Sequence, residues 1–233
     1  MKKQATNEID NVLKVIATDR ERTNVLRSLE QKTIAFLVQR IPARITPDML
    51  TAVGFTGNII VSLSFVLGAF FNPLWLLLGV AGFMISWFGD SLDGRLAYYR
   101  HTPRKWFGFT LDLTIDWLGT FLIGLGFVIY ASGLAKLLGL VFVVFYGWEI
   151  MTTLIRYKIT GRYSIDSGLF GPTEVRVLIS LIMIIELIWR GSITWFAAVA
   201  CLALFIFNIR DSRILLKLAL AKDEEERSKQ EKA

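Results

Sequence analysis

Apolar residues along this chain are gathered into six long runs, at 49–71, 74–91, 106–130, 134–153, 175–189 and 193–209, with charge concentrated between and beyond them. A membrane-spanning helix needs about 20 mainly apolar residues, so the pattern predicts six spans. The second and fifth runs are short or interrupted by charge, which leaves their ends loosely defined. Asn72-Pro73, Ser132-Gly133 and Arg190-Gly191-Ser192 supply tight turns after the first, third and fifth runs. The fold class expected is an all-α integral membrane protein with six transmembrane helices.

Those three turns hold little positive charge, whereas the alternate connections are basic. Nine Lys or Arg precede the first run, and Arg95, Arg100, Arg104 and Lys105 follow the second. Arg156, Lys158 and Arg162 follow the fourth, and seven more basic residues lie beyond Asn208. Positive residues in short loops stay on the cytoplasmic side, so both termini are expected in the cytoplasm of a multi-pass cell-membrane protein. Before the first run Ile9, Val12, Leu13 and Ile16 recur at helical spacing, and Val25, Leu26, Leu29, Ile34, Leu37 and Val38 extend the pattern. This suits an N-terminal amphipathic juxtamembrane helix lying on the membrane surface; a solvated helical hairpin is the alternative. The chain divides into a juxtamembrane segment 1–45, a six-helix domain 46–210 and a charged tail 211–233. The end of that tail, 223–232, is expected to be frayed or disordered.

Composition sharpens the picture. A hydrophobic content of 54% and a mean hydropathy of +0.51 exceed what a soluble domain carries. With such apolar runs, the net charge of +6 points to anionic lipid headgroups or phosphate-bearing substrates rather than nucleic acid. Cys201, the single cysteine, lies in an apolar run and reads as packing, so no disulfide framework or thiolate metal site forms within one chain. The single histidine, His101, reads as a solvated loop residue. Any chemistry must therefore rest on carboxylates. The first 30 residues are too polar for a cleavable signal peptide.

The second run closes on Gly89-Asp90-Ser91-Leu92-Asp93-Gly94-Arg95-Leu96-Ala97-Tyr98, and the third opens on Gly108-Phe109-Thr110-Leu111-Asp112-Leu113-Thr114-Ile115-Asp116. Helix positions three or four apart share a face, so Asp90 and Asp93 form one acidic pair and Asp112 and Asp116 another. The short loop between the helices predicts antiparallel neighbours, with all four carboxylates converging near the cytoplasmic end. An isolated carboxylate in hydrocarbon costs about 3 kcal/mol by insertion scales, and four together repel each other. Divalent cations relieve both problems, and oxygen ligands without His or Cys favour Mg²⁺ or Mn²⁺ over Zn²⁺. Four carboxylates suit a two-metal site with ions about 4 Å apart, of the kind that stabilises phosphoryl transfer. Gly94 and Gly108 remove side chains beside the cluster, so a bulky headgroup can approach the backbone. Lone aspartates at span ends are often merely interfacial; two helical pairs flanked by glycines are hard to read that way.

This constellation resembles the signature of the CDP-alcohol phosphotransferase family, Asp-x-x-Asp-Gly-x-x-Ala-Arg followed by Gly-x-x-x-Asp-x-x-x-Asp. The matching residues are Asp90, Asp93, Gly94, Ala97, Gly108, Asp112 and Asp116. Thr46-Pro47-Asp48 is similar to the Thr-Pro-Asn or Thr-Pro-Asp with which such proteins begin their first span, so the resemblance covers most of 39–208. Two departures stand out. Tyr98 replaces the family's Arg, which helps hold the donor's phosphates, with Arg95 or Arg100 as candidate substitutes. Nine residues rather than the usual eight precede Gly108. Gly171-Pro172-Thr173-Glu174 is similar to a run in the aminoalcohol branch of the family, and reads equally well as a helix start.

The resemblance implies a phospholipid-biosynthetic transferase in which an alcohol hydroxyl displaces CMP from a CDP-linked donor, CDP-diacylglycerol foremost. It implies that Asp90 and Asp112 bridge two Mg²⁺ or Mn²⁺ ions, that Asp93 completes one and Asp116 the other, and that Asp116 is the general base. Asp48, Gly94, Ala97, Tyr98 and Gly108 are then substrate-binding. Two rival readings stay open. An intramembrane prenyltransferase also binds a diphosphate through aspartates, but its motifs normally sit in separate halves of the chain, whereas Asp93 and Asp112 lie 19 positions apart. A metal transporter would continue acidic residues across the third run, which is apolar after Asp116; an inactive metal- or nucleotide-binding scaffold is compatible with Tyr98. The expected partners are the donor, the alcohol acceptor and membrane lipids, without nucleic acid; a homodimer stays open, as does the identity of the acceptor. Glu149 and Glu186 lie within other runs, with Arg156 or Arg176 as candidate pairing partners.

Overall fold

The computed structural model describes residues 27–161 and 171–231, so the apolar positions before Arg27, and Arg162, lie outside the described residues. The described residues form helices α1 (Arg27–Val38), α2 (Pro47–Phe70), α3 (Leu76–Tyr99), α4 (Lys105–Tyr130), α5 (Lys136–Thr160), α6 (Pro172–Ile188) and α7 (Ser192–Gln230). Single 3₁₀ turns at Pro73–Trp75 and Gly133–Ala135 lead into α3 and α5. Local chemistry accounts for the ends. Thr46 Oγ1 accepts from Met49 N at 3.2 Å and Pro47 takes the first helical position, so Thr46-Pro47-Asp48 is a capped start for α2. Asn72 Oδ1 accepts from Leu74 N, and Gly161 closes α5 in the left-handed region at φ 70°. Glu186 is a structural cap: its carboxylate accepts from Tyr130 Oη, Gly191 N, Ser192 Oγ and Ile193 N, tying the ends of α4 and α6 to the start of α7.

Five helices are long and apolar enough to cross a membrane: α2, α3 and α5 with their leading turns where present, α4 and α7. The fifth run of the sequence, expected as the fifth of six spans, folds as α6, a helix of 17 residues that carries Glu174, Arg176 and Glu186. At 1.5 Å per residue it is about 26 Å long, short of a hydrocarbon core of about 30 Å. The tail corrects an expectation. Instead of fraying beyond the last span, α7 continues to Gln230, through good helix formers and the ion pairs of Glu225 with Lys222 and Lys229. The amphipathic segment is also more than a surface helix where it is described: Ile34, Ala35 and Val38 of α1 are buried against Leu50, Leu92 and Leu96, and Thr173 Oγ1 donates to Glu30 at 2.8 Å.

The bundle is organised on α2. Its most extensive interface is with α3, and it also packs against α4; α3 then packs on α6, α6 on α7, α7 on α5 and α5 on α4, closing a ring. The α2–α3 approach is close because glycines face each other: a Cβ at Gly89 would overlap the backbone of Gly54 and Leu50, and one at Gly57 the backbone of Ser86. Ser86 Oγ donates to buried Asn58 Oδ1 at 2.8 Å in the same seam, and Ser62 Oγ reaches Leu122 O of α4 at 2.7 Å. α3 and α4 themselves, expected as packed neighbours, share only marginal backbone contact, each being held by α2 instead. Gly89→Ala should therefore cost about 1–3 kcal/mol through overpacking, seen as a lowered melting temperature in detergent; an unshifted melt would mean the seam is looser than this.

Candidate active site

The α2–α3 seam fixes where the acidic residues go. Asp90 follows Gly89 directly, and a Cβ on Gly54 would stand 3.0 Å from the Asp90 backbone nitrogen. Asp112 and Asp116 occupy successive turns of one face of α4, which Asn58 and Ser62 of α2 hold in place at Gly119 and Leu122. As a result Asp90, Asp112 and Asp116 each present a carboxylate oxygen, and the three oxygens lie within 4.8 Å of one another. Counting along the helices, the cluster sits roughly 10–17 Å from the α3–α4 loop.

Asp93 is placed differently. It is buried, its Oδ2 accepts from Thr51 Oγ1 at 2.7 Å, and its Oδ1 accepts from Gly94 N. It remains within electrostatic reach of Asp90 and Asp112, so all four aspartates share one field while three form the tight group. Facing them is a cation that the sequence did not single out for this place: Arg176 Nη2 of α6 pairs with Asp90 Oδ2 at 2.7 Å. Three carboxylates and one guanidinium leave a formal charge of −2. Tyr146 of α5 completes the surroundings, within electrostatic reach of Asp116, Arg176, Asp90 and Glu149.

The remaining expected site residues divide. Among the described residues, a Cβ added at Gly94 or Gly108 would meet nothing within 4 Å, so neither glycine is needed for their packing and both border open space there. Ala97 and Tyr98 are half-buried on the next turn of α3. Asp48 pairs with Arg104, whose guanidinium stacks 4.4 Å over the Phe107 ring. Arg100, a candidate substitute for the family's Arg, instead donates to the carbonyls of Ile41, Pro42 and Ile45 and pins the α1–α2 connection. Of the two glutamates expected to pair with Arg156 or Arg176, Glu186 instead caps α7, while Arg156 binds Asp211 at 2.9 Å and Arg176 binds Asp90. Sequence reasoning missed Thr51, Tyr146 and the placement of Arg176. The available signal was Arg176 itself, a cation within an otherwise apolar run, which by its cost in a membrane asks for a partner.

The donor set fits a hard divalent cation. All three clustered ligands are carboxylates, the oxygen donors that hard divalent cations take, and their oxygens already lie within 4.8 Å of one another. Without a cation among them, three carboxylates this close repel one another. No curated protein matches the chain closely enough to count as a relative. The family comparison is decisive: residues 44–207, holding every aspartate of the cluster, match CDP-alcohol phosphatidyltransferase, and the chain belongs to that family of membrane transferases.

Proposed function

We propose that the protein moves a substituted phosphate from a CDP-linked lipid donor, CDP-diacylglycerol foremost, to the hydroxyl of an alcohol acceptor and releases CMP in phospholipid synthesis. The observation that carries this reading is the convergence of Asp90, Asp112 and Asp116 beside the open space at Gly94 and Gly108. Asp90, Asp93, Asp112 and Asp116 would hold two Mg²⁺ or Mn²⁺ ions, which supply charge neutralisation for the diphosphate and the departing CMP. Thr51 orients Asp93 by its hydrogen bond. Asp116 takes the proton from the acceptor hydroxyl as that oxygen forms its bond to the lipid-linked phosphorus and the bond to CMP breaks. Gly94, Ala97, Tyr98 and Gly108 leave room for the nucleotide, and Asp48 and Arg104 border its approach from the loop.

The test is CMP release by purified protein with Mg²⁺ or Mn²⁺ and a panel of CDP-linked donors and alcohol acceptors. Nucleotide binding without turnover across the whole panel would favour an inactive scaffold instead. Gly108→Val should fold as well as wild type, since its Cβ meets nothing within 4 Å among the described residues, yet raise KM for the donor about tenfold, a modest overpacking effect. An unchanged KM would mean that the nucleotide does not use this space.

The same reading places α6 as a sixth span, short and tied at both ends, with both termini and the site toward the cytoplasm. The basic connections support it, as do exposed Trp106 and Phe107 at one end of the bundle and Trp75, Trp189 and Trp195 at the other. Reporters inserted at Gly133 and Gly191 should both read as external; a cytoplasmic signal at either site would overturn this topology.

A further inference from the structure

Arg176 is a cation that the fold brings onto the acidic cluster. Its side chain is 15% exposed and Nη2 lies 2.7 Å from Asp90 Oδ2, with Asp116 and Tyr146 in electrostatic reach. It stands on α6, which arrives there by packing against α3. Arg100 and Arg104, at the same end of the bundle, are held by backbone carbonyls and by Asp48. A guanidinium at hydrogen-bond distance from Oδ2 obstructs that oxygen as a metal ligand and repels an incoming divalent ion.

Resting on the reading of this cluster as a metal–diphosphate site, we infer that Arg176 is an exchanging cation that couples metal binding to diphosphate binding. While no metal is bound it neutralises Asp90. When a metal–diphosphate complex enters, Asp90 is released to the metal and the guanidinium turns onto a phosphate oxygen. A guanidinium fork pairs with phosphate as well as with carboxylate, and the long side chain changes partner by rotamer shifts alone. Bare metal therefore binds weakly, because it must displace a shielded ion pair. Metal and diphosphate bind cooperatively, because the phosphate provides Arg176 with its new partner.

Mn²⁺ binding to the purified full-length chain, measured by calorimetry with and without CDP, tests this. Arg176→Gln is expected to bind Mn²⁺ alone about tenfold more tightly than wild type, and to bind CDP at saturating Mn²⁺ about tenfold more weakly. Arg176→Lys, which keeps the charge, should stay near wild type in Mn²⁺ affinity. Arg176→Met takes the place of the Gln variant should that one fail to fold. Unchanged or weakened Mn²⁺ affinity on removing the charge overturns the exchange, and unchanged CDP affinity overturns the transfer to phosphate. Absence of Mn²⁺ binding in the wild type itself would instead sink the metal-site reading on which the inference rests, a distinct result seen without any variant.

Discussion

Asp112→Asn is expected to lower CMP release by roughly 10³-fold or more while leaving the fold intact. The carboxylate of Asp112 belongs to the group of three whose oxygens lie within 4.8 Å, and a metal ligand in such a site supports several kcal/mol of transition-state charge stabilisation. At 1.36 kcal/mol per tenfold, about 4 kcal/mol corresponds to that loss. The amide keeps the shape of the side chain and removes one of three mutually repelling charges. Release near the wild-type rate would end the metal assignment. Asp90→Asn is a less clean probe, because it also strips Arg176 of its partner and leaves a shielded cation uncompensated.

The second large effect is expected at Asp116. Removing a general base typically costs about 10²- to 10⁴-fold in rate, so kcat of Asp116→Asn should fall within that range. Donor affinity should be largely kept, since Asp90, Asp93 and Asp112 remain. The helix is not at risk: the contact with Thr120 Oγ1 at 2.9 Å uses the Asp116 backbone carbonyl, which the substitution does not touch. A fall in donor affinity parallel to kcat would show that Asp116 acts as a ligand only. Together with Asp112→Asn, the two variants divide holding the metal from moving the proton.

Much of the site was legible because its first cues are local. Asp90 with Asp93 and Asp112 with Asp116 share helix faces by spacing alone, and Gly94 and Gly108 stood out as missing side chains beside them. Thr46-Pro47 likewise proved to be a cap and first turn, chemistry that three consecutive residues decide. What could not be read was how the pairs are divided in space. Asp93 turns to Thr51 of α2 while Asp90 joins the α4 pair and Arg176, a choice set by which side of α3 each neighbouring helix covers. α3 and α4 meet through the carboxylates of Asp90, Asp112 and Asp116 more than through close backbone packing: a short loop brings two helices to one end of the bundle, but does not make their faces interlock.

The sequence by itself determined the all-helical membrane class, the tight turns, the two acidic pairs and the family. All of these rest on run length, residue spacing or contiguous motifs, quantities defined along the chain. Only the tertiary structure decided that Gly54, Gly57 and Gly89 bring α2 and α3 into backbone contact, that α6 is a short helix packed on α3, and that Arg176 thereby stands on Asp90. It likewise decided that Arg100 serves the α1–α2 connection instead of the cluster. A charged side chain in an apolar run announces that it needs a partner, but the partner is whichever group packing sets within about 3 Å of it, and no spacing along one helix encodes a contact between two.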